Sequence, residues 1–465
     1  MFSKRRSKSN WSLSSKSSYR SRRKPSIPTS WLLASIPLGI LGLELLLRIL
    51  MALLGKGGEI DQYKAEPPLN NQYHLAYHNQ SGQPIQGLPS NGQLLAQQHP
   101  LLGYQLKPNQ QNPALTLNNQ GLRTTKPLDP AKPKTEVRIL LLGGSTAFGT
   151  LAQNNDTTFA QQLETQLNQQ VQDQRTNSKN FRPDILPYFA DEQEKALKLP
   201  PRIRDAQYRV INAAVPGYTS GNTLAQLTAL LPYQPDAIVL LDGYSDLLLP
   251  STTPAASIPN LSSLTSNAPG HLLTTLTMGL GQFIGQFYLV KLPAFFLTKP
   301  KPSVEAVVDP SELNQGPLRD RLPKDDAELK LRSDRYQSNL QMISRIAAGA
   351  KIPVIYTLQP ELSHRSASSI TQSEKSALDA LGSDYGQRID KAYKALQTAT
   401  EEAKKNSSNL IILKNKERID RIKGDVFLDP IHLNQAGNKA IADQLYEAIA
   451  PKLHVEAKPF SGDAP

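Results

Sequence analysis

Five short, largely apolar runs set the terms for any fold this chain can adopt: Val137 to Leu142, Tyr208 to Ile211, Ala237 to Leu241, Pro353 to Thr357 and Leu410 to Leu413. Each has the length of a strand. None shows the regular apolar and polar alternation of a strand with one face in water, so each reads as a strand covered on both faces. Between them the apolar spacing is helical, as in Phe159, Leu163 and Leu167, in Tyr336, Leu340, Ile343 and Ala347, and in Ile441, Leu445 and Ile449. Strand and helix in alternation predict a three-layer α/β/α sandwich. Its sheet should be mostly parallel, of about five strands in a flavodoxin-like order, with right-handed crossovers.

The chain ahead of this region is of a different kind. Residues 1–29 hold nine of the twelve net positive charges of the 465-residue chain and no acidic residue, so the charge marks a basic leader and not a nucleic-acid-binding surface. Trp31 to Leu54 follows as an apolar run long enough to cross about 30 Å of hydrocarbon as a helix. It predicts one transmembrane helix over 30–55, and a cleaved signal peptide is the competing reading. With basic residues before it, the positive-inside rule puts the N-terminus in the cytoplasm and the rest outside. Glu44 and Arg48 share one face of that helix. They read either as an intrahelical pair or as the mark of a partner helix. The chain has no cysteine, which excludes disulfides, thiolate metal sites and a cysteine nucleophile.

Residues 56–134 are rich in Gln, Asn and Pro and predict a small β-rich lead-in or linker. The sandwich should occupy 135–453, interrupted by excursions at 172–206 and 250–332, with 454–465 as a tail. Within the second excursion, Leu272 to Leu297 carries Lys291 as its one charge and clusters Phe283, Phe287, Tyr288, Phe295 and Phe296. That composition fits either a second span or an amphipathic lid. Gly281 and Gly285 form a lone G-x-x-x-G within it.

Four segments could carry chemistry. The first strand runs into Gly143-Gly144-Ser145-Thr146 and then a helix, which puts Ser145 at the C-terminal edge of the sheet, where open α/β folds bind ligands. A serine nucleophile needs a base, and the base needs an orienting carboxylate. Asp429 and His432, three residues apart just before a helix, can supply both. An oxyanion needs donors. Gly217, in Asn-Ala-Ala-Val-Pro-Gly-Tyr-Thr-Ser, and the turn Asp242-Gly243-Tyr244-Ser245-Asp246 end the next two strands.

Together the four segments resemble the SGNH hydrolases, also called GDSL-type esterases and lipases, in the same order along the chain. Gly143-Gly144-Ser145-Thr146 matches the nucleophile block and Gly217 the glycine block. Gly243-Tyr244-Ser245-Asp246 matches the G-x-N-D block, and Asp429-x-x-His432 the last one. Gly103-Tyr104-Gln105-Leu106-Lys107-Pro108-Asn109 and Asn118-Asn119-Gln120-Gly121-Leu122-Arg123 look like membrane-anchored members of the family and add no chemistry of their own. The resemblance implies a Ser145, His432 and Asp429 triad, with Ser145, Gly217 and Ser245 at the oxyanion and no metal or other cofactor. Ser245 stands where the family has an asparagine, which implies a weaker oxyanion donor.

The implied activity is carboxylic ester hydrolysis, on O-acyl groups of envelope polysaccharide or on lipid esters. The alternatives are an O-acyltransferase and a catalytically weakened binding protein. A second span over Leu272 to Leu297 would put Ser145 and His432 on opposite sides of the membrane, so the lid is the expectation. The sequence lacks H-E-x-x-H, a P-loop and the G-x-S-x-G elbow. His74, His78, His99, His271, His364 and His454 have no evident carboxylate partner and read as structural or exposed.

Overall fold

The computed structural model describes residues 29–62, 68–86, 88 and 89, 92–255, 284, 286–297 and 318–460. Nearly all of the basic leader, residues 256–283, 285 and 298–317 of the long excursion, His271, the Gly281 and Gly285 pair and the last five residues lie outside these. The chain divides into two compact units. One comprises the N-terminal segment through Tyr63 together with Ile284–Phe296, and the other holds the rest.

In the first unit a helix runs from Thr29 to Leu53, and Ser35–Leu53 within it, with a mean hydropathy of 2.1, is long and apolar enough to cross a membrane. The chain reverses at Gly55, and the short helix Gly57–Gln62 returns against the first. A further helix, Tyr288–Leu297, packs there through a small apolar cluster of Met51, Ile60 and Tyr288. Glu44 is buried and is held at three points: Arg48 Nε donates to it over 2.8 Å, and the backbone N–H groups of Tyr288 and Leu289 donate over 2.9 and 3.1 Å.

The second unit opens with a three-stranded sheet. Strand β1 (Leu75–His78) runs parallel to β2 (Leu94–His99), which is antiparallel to β3 (Gly103–Leu106). A two-residue ladder joins β4 (Gln111–Asn112) to β5 (Leu115–Thr116). This lead-in is no loose linker. Tyr73, Leu75, Tyr77, Leu94, Ala96, Tyr104 and Leu106 are buried in one cluster with Val137, Ile139, Phe148 and Tyr218 of the segments that follow.

The main sheet consists of β6 (Glu136–Gly143), β7 (Gln207–Asn212), β8 (Ala237–Asp242), β9 (Val354–Leu358) and β10 (Leu410–Leu413), in the order β10-β9-β8-β6-β7. All four pairings are parallel. This is the expected three-layer sandwich, and the reason is visible in the alternation of side chains. Val137, Ile139, Leu141, Val239, Leu241 and Ile355 enter a core with Phe159, Leu163, Ile441 and Leu445 of the helices Phe159–Thr176 and Gln435–Ile449. Their neighbours Leu140, Leu142, Ile238, Leu240, Val354 and Tyr356 enter a second core. There they meet Tyr336, Leu340, Ile343 and Leu396 of the helices Asp326–Gly349 and Tyr385–Lys405. Period-two side chains with both sets apolar are what a sheet covered on two faces requires.

The first excursion and the chain end meet. Leu186 N donates to Lys458 O and Lys458 N to Asp184 O, both over 2.8 Å, and the rings of Tyr188 and Phe460 stack edge-on at 5.4 Å.

Tyr104 tests whether the lead-in belongs to the core, since its ring packs edge-on against Tyr77 at 5.3 Å and Tyr218 at 5.4 Å. Tyr104→Ala is expected to cost about 3–5 kcal/mol, the range for an aromatic removed from a core. Equilibrium denaturation measures it, and a loss under about 1 kcal/mol would mark the lead-in as peripheral.

Candidate active site

Strand β6 is flanked by β8 on one side and β7 on the other, so the chain order reverses at its C-terminal end. Open parallel sheets present their ligand crevice at such a point. Here the chain leaves the strand through Gly143, at φ +145°, and a side chain there would bring its Cβ within 2.0 Å of the Leu241 carbonyl oxygen. Only glycine fits. The turn delivers Ser145 to the first position of the short helix Ser145–Phe148, where its N–H is among those a helix leaves without an internal partner.

The other expected segments converge on this turn. A Cβ placed on Gly144 would lie 3.1 Å from Tyr218 O and 3.5 Å from Ser245 Oγ, so the glycine turn and the β8 turn flank it. Gly217 is half-buried with φ +83°, and Ser245 is half-buried in the first turn of the helix Tyr244–Leu248. Thr146 Oγ1 donates to the Ile431 carbonyl over 3.0 Å, which ties the residue after Ser145 to the residue before His432.

His432 is fully buried and its Nδ1 lies 2.6 Å from Asp429 Oδ2. The other carboxylate oxygen accepts from the backbone N–H groups of Ile431 (2.9 Å) and His432 (2.7 Å), so Asp429 folds its own loop around the imidazole. With the proton of Nδ1 turned to the carboxylate, Nε2 carries a lone pair. Among the described residues Nε2 makes no hydrogen bond, to Ser145 or to any other group. None of them form a cluster of three or more metal-ligating side chains.

Both lead-in motifs, expected to add no chemistry, brace the site. Tyr104 OH donates to Pro216 O and Tyr218 OH to Tyr104 O, each over 2.6 Å, so the first motif grips the Gly217 turn from both ends. Arg123, at the end of the second, is buried, and among the described residues no carboxylate lies against its guanidinium. Its Nη1 donates to the carbonyls of Phe148 (3.0 Å) and Gly149 (2.7 Å), its Nη2 to Tyr73 OH (2.9 Å) and Ala114 O (3.2 Å), and its Nε to Asn155 Oδ1 (3.0 Å). A cation is thus placed at the C-terminal end of the helix that Ser145 opens, where helix carbonyls lack partners. Burial lowers its pKa, and the Tyr73 hydroxyl opposes that.

Under the β8 turn lie two carboxylates. Asp246 accepts from Ser220 N (2.9 Å) and Ser220 Oγ (2.5 Å), which joins the β8 turn to the helix that follows the glycine turn. Asp242 accepts from Tyr336 OH over 3.0 Å. Burial and then the neighbouring Asp246 push the Asp242 carboxyl up to about 7. Burial raises Asp246 as well.

His364 departs from expectation, since its Nδ1 lies 3.2 Å from the buried Glu361 and its ring lies against Tyr393 at 4.5 Å. These residues line a cavity of about 650 Å³ with Gln359 and Lys416, which none of Ser145, Gly217, Ser245, Asp429 or His432 enters. The signal was available as Glu361-x-x-His364, the same spacing as Asp429-x-x-His432.

No protein-family model matches this chain, and no curated protein matches it. Among solved structures it is similar to the acetyl xylan esterase AlAXEase, at 12% identity over 67% of this chain and 100% of that one, with a TM-score of 0.32. A GDSL-like lipase from Bacteroides thetaiotaomicron aligns at 12% identity over 69% of this chain and 92% of its own, with a TM-score of 0.31. The psychrotrophic esterase EstA from Pseudoalteromonas aligns at 14% identity over 67% and 96%, with a TM-score of 0.31. At such scores the likeness carries no weight for function, which has to come from the residues themselves.

Arg123→Met keeps an apolar stem but removes every guanidinium donor. It is expected to cost about 1–3 kcal/mol of stability, because buried carbonyls at the end of the helix that Ser145 opens lose a charged donor. Equilibrium denaturation measures it, and a loss under about 0.5 kcal/mol would show that the guanidinium is not the brace. Asp242 predicts a pH effect on stability. Its folded pKa is raised, so its contribution is fully present below the unfolded carboxylate value and is lost as pH rises through about 7. Asp242→Asn should therefore flatten the fall in Tm between about pH 5 and about pH 8. An unchanged slope would show that Asp242 does not hold the proton.

Proposed function

We propose that the chain is a serine ester hydrolase anchored in the membrane by its N-terminal helix, with the N-terminus cytoplasmic and the sandwich outside. What carries the reading is the buried Asp429 and His432 pair, on a loop bonded through Ile431 O to the turn that presents Ser145. Ser145 Oγ attacks an acyl carbonyl while His432 Nε2 takes its proton, and the carbonyl electrons move onto oxygen. The amides of Ser145 and Gly217 and the Ser245 hydroxyl receive that charge. As the intermediate collapses, the C–O bond to the alcohol breaks and His432 returns the proton to the leaving oxygen. Water then repeats the sequence on the acyl-serine and releases the acid. Asp429 holds the imidazole tautomer that makes both transfers possible.

The substrate class consistent with a site outside the membrane is an O-acylated envelope polysaccharide or a lipid ester. These steps call for no metal and no organic cofactor.

On a short-chain aryl ester, Ser145→Ala and His432→Ala are each expected to lower kcat at least about 10³-fold. Equal turnover in the wild type and both variants would end the assignment. No turnover in any of the three would favour the weakened binding protein. With an acetyl donor and a polysaccharide acceptor supplied together, acetylated polymer with little free acetate would instead identify an acyltransferase. Ser245→Asn restores an amide donor above the nucleophile turn and is expected to raise kcat, by up to about 10²-fold. A fall would mean that the shorter hydroxyl fits a different substrate geometry.

A further inference from the structure

A carboxylate inside an apolar helix demands a partner, and here the partner is the start of another helix. Glu44 lies nine residues before Leu53, so at 1.5 Å per residue it sits roughly 13 Å below the C-terminal end of the anchor helix. That is close to the middle of a hydrocarbon layer about 30 Å thick. At this depth its carboxylate accepts from the N–H groups of Tyr288 and Leu289, the first two residues of the helix Tyr288–Leu297.

The second helix rises from there. The Tyr288 hydroxyl donates to Gly57 O over 3.0 Å, and eight residues further on the Phe296 ring lies 5.2 Å from Lys56 Nζ, beyond the end of the anchor. Ten residues span roughly 15 Å as a helix, which matches the climb from Glu44 to the anchor's end. The two helices therefore point the same way, and the second begins in mid-layer.

We propose that Tyr288–Leu297 is a half-membrane arm, which begins in mid-layer beside Glu44 and leaves the membrane on the side where the anchor helix ends. The proposal rests on the reading of Thr29–Leu53 as a membrane anchor. The energetics are mutual. In hydrocarbon the first N–H groups of a helix and an isolated carboxylate are each costly, and joined they satisfy one another. The positive end of the helix dipole adds to the attraction. Arg48 completes the junction: Nε binds Glu44, Nη2 donates to the Gln286 carbonyl over 2.9 Å, and the guanidinium covers the Tyr288 ring at 4.8 Å. Non-helical backbone at such depth is tolerated where protein satisfies it, and Arg48 does so at the Gln286 carbonyl just ahead of the helix. Val290 and Phe296, both about half exposed in this unit, are left for lipid.

The absence of cysteine makes the test clean, since single cysteines can be placed in the full chain in native membranes. The probe is a membrane-impermeant maleimide. Leu101→Cys and Asp320→Cys, both at exposed positions, are expected to react from the outside, and Leu289→Cys from neither side until detergent is added. Reaction at position 289 as fast as at 101 would reduce the arm to a surface lid, and reaction at 320 from the cytoplasmic side alone would prove a full crossing. Adding Glu44→Leu to Leu289→Cys should raise its outside labelling at least about tenfold. Unchanged protection would remove Glu44 from the mechanism. Alkaline carbonate distinguishes the two levels of failure: release of the whole protein from the membrane would overturn the anchor itself.

Discussion

Strand β6 is hydrogen-bonded along both edges and covered on both faces, so the chain leaving its C-terminal end has very little room. It must pass the Leu241 carbonyl of β8 without a side chain, and Gly143 meets that demand. Everything around Ser145 follows from this crowding. The next residues enter a one-turn helix at once, the β7 and β8 turns close over Gly144, and the loop of Asp429 and His432 attaches through Thr146. A site built this way takes its geometry from the sheet and not from mobile loops, which suits chemistry that depends on positions held to fractions of an ångström.

The same crowding explains the lead-in. Turns at a strand end are held only as firmly as whatever stands behind them, and here Tyr104 and Arg123 stand behind two of the four. The arginine is instructive, because a buried guanidinium without a carboxylate would be costly if its donors were idle. The carbonyls of Phe148, Gly149 and Ala114 and the Tyr73 hydroxyl occupy them instead, so the charge is spread over several dipoles.

Two carboxylate and imidazole pairs with identical spacing occur in one chain, which separates pattern from place. Asp429 and His432 are sealed from solvent at 2.6 Å beside a serine turn. Glu361 and His364 stand at 3.2 Å with the imidazole 22% exposed, and the hydroxyl beside them, that of Ser363, is already donated to Glu361. The shorter, drier pair can hold one tautomer against competition from water. The other is part of a cavity wall.

The main sheet was legible in the sequence because strands buried on both faces must be apolar throughout, and a short apolar run is a local property. Ser145, Gly217, Ser245, Asp429 and His432 could be nominated for a similar reason: each stands in a turn whose residues are neighbours in the chain. Braces and clamps were not. Arg123 meets Phe148 across 25 residues, Tyr104 meets Pro216 across 112, and Glu44 meets Tyr288 across 244. No periodicity links such positions, since what joins them is the satisfaction of buried polar groups once water has been removed. Glu44 itself was visible as an anomaly in an apolar helix. That its partner would be the first N–H groups of a helix 244 residues away was decided only when the chain folded back to meet it.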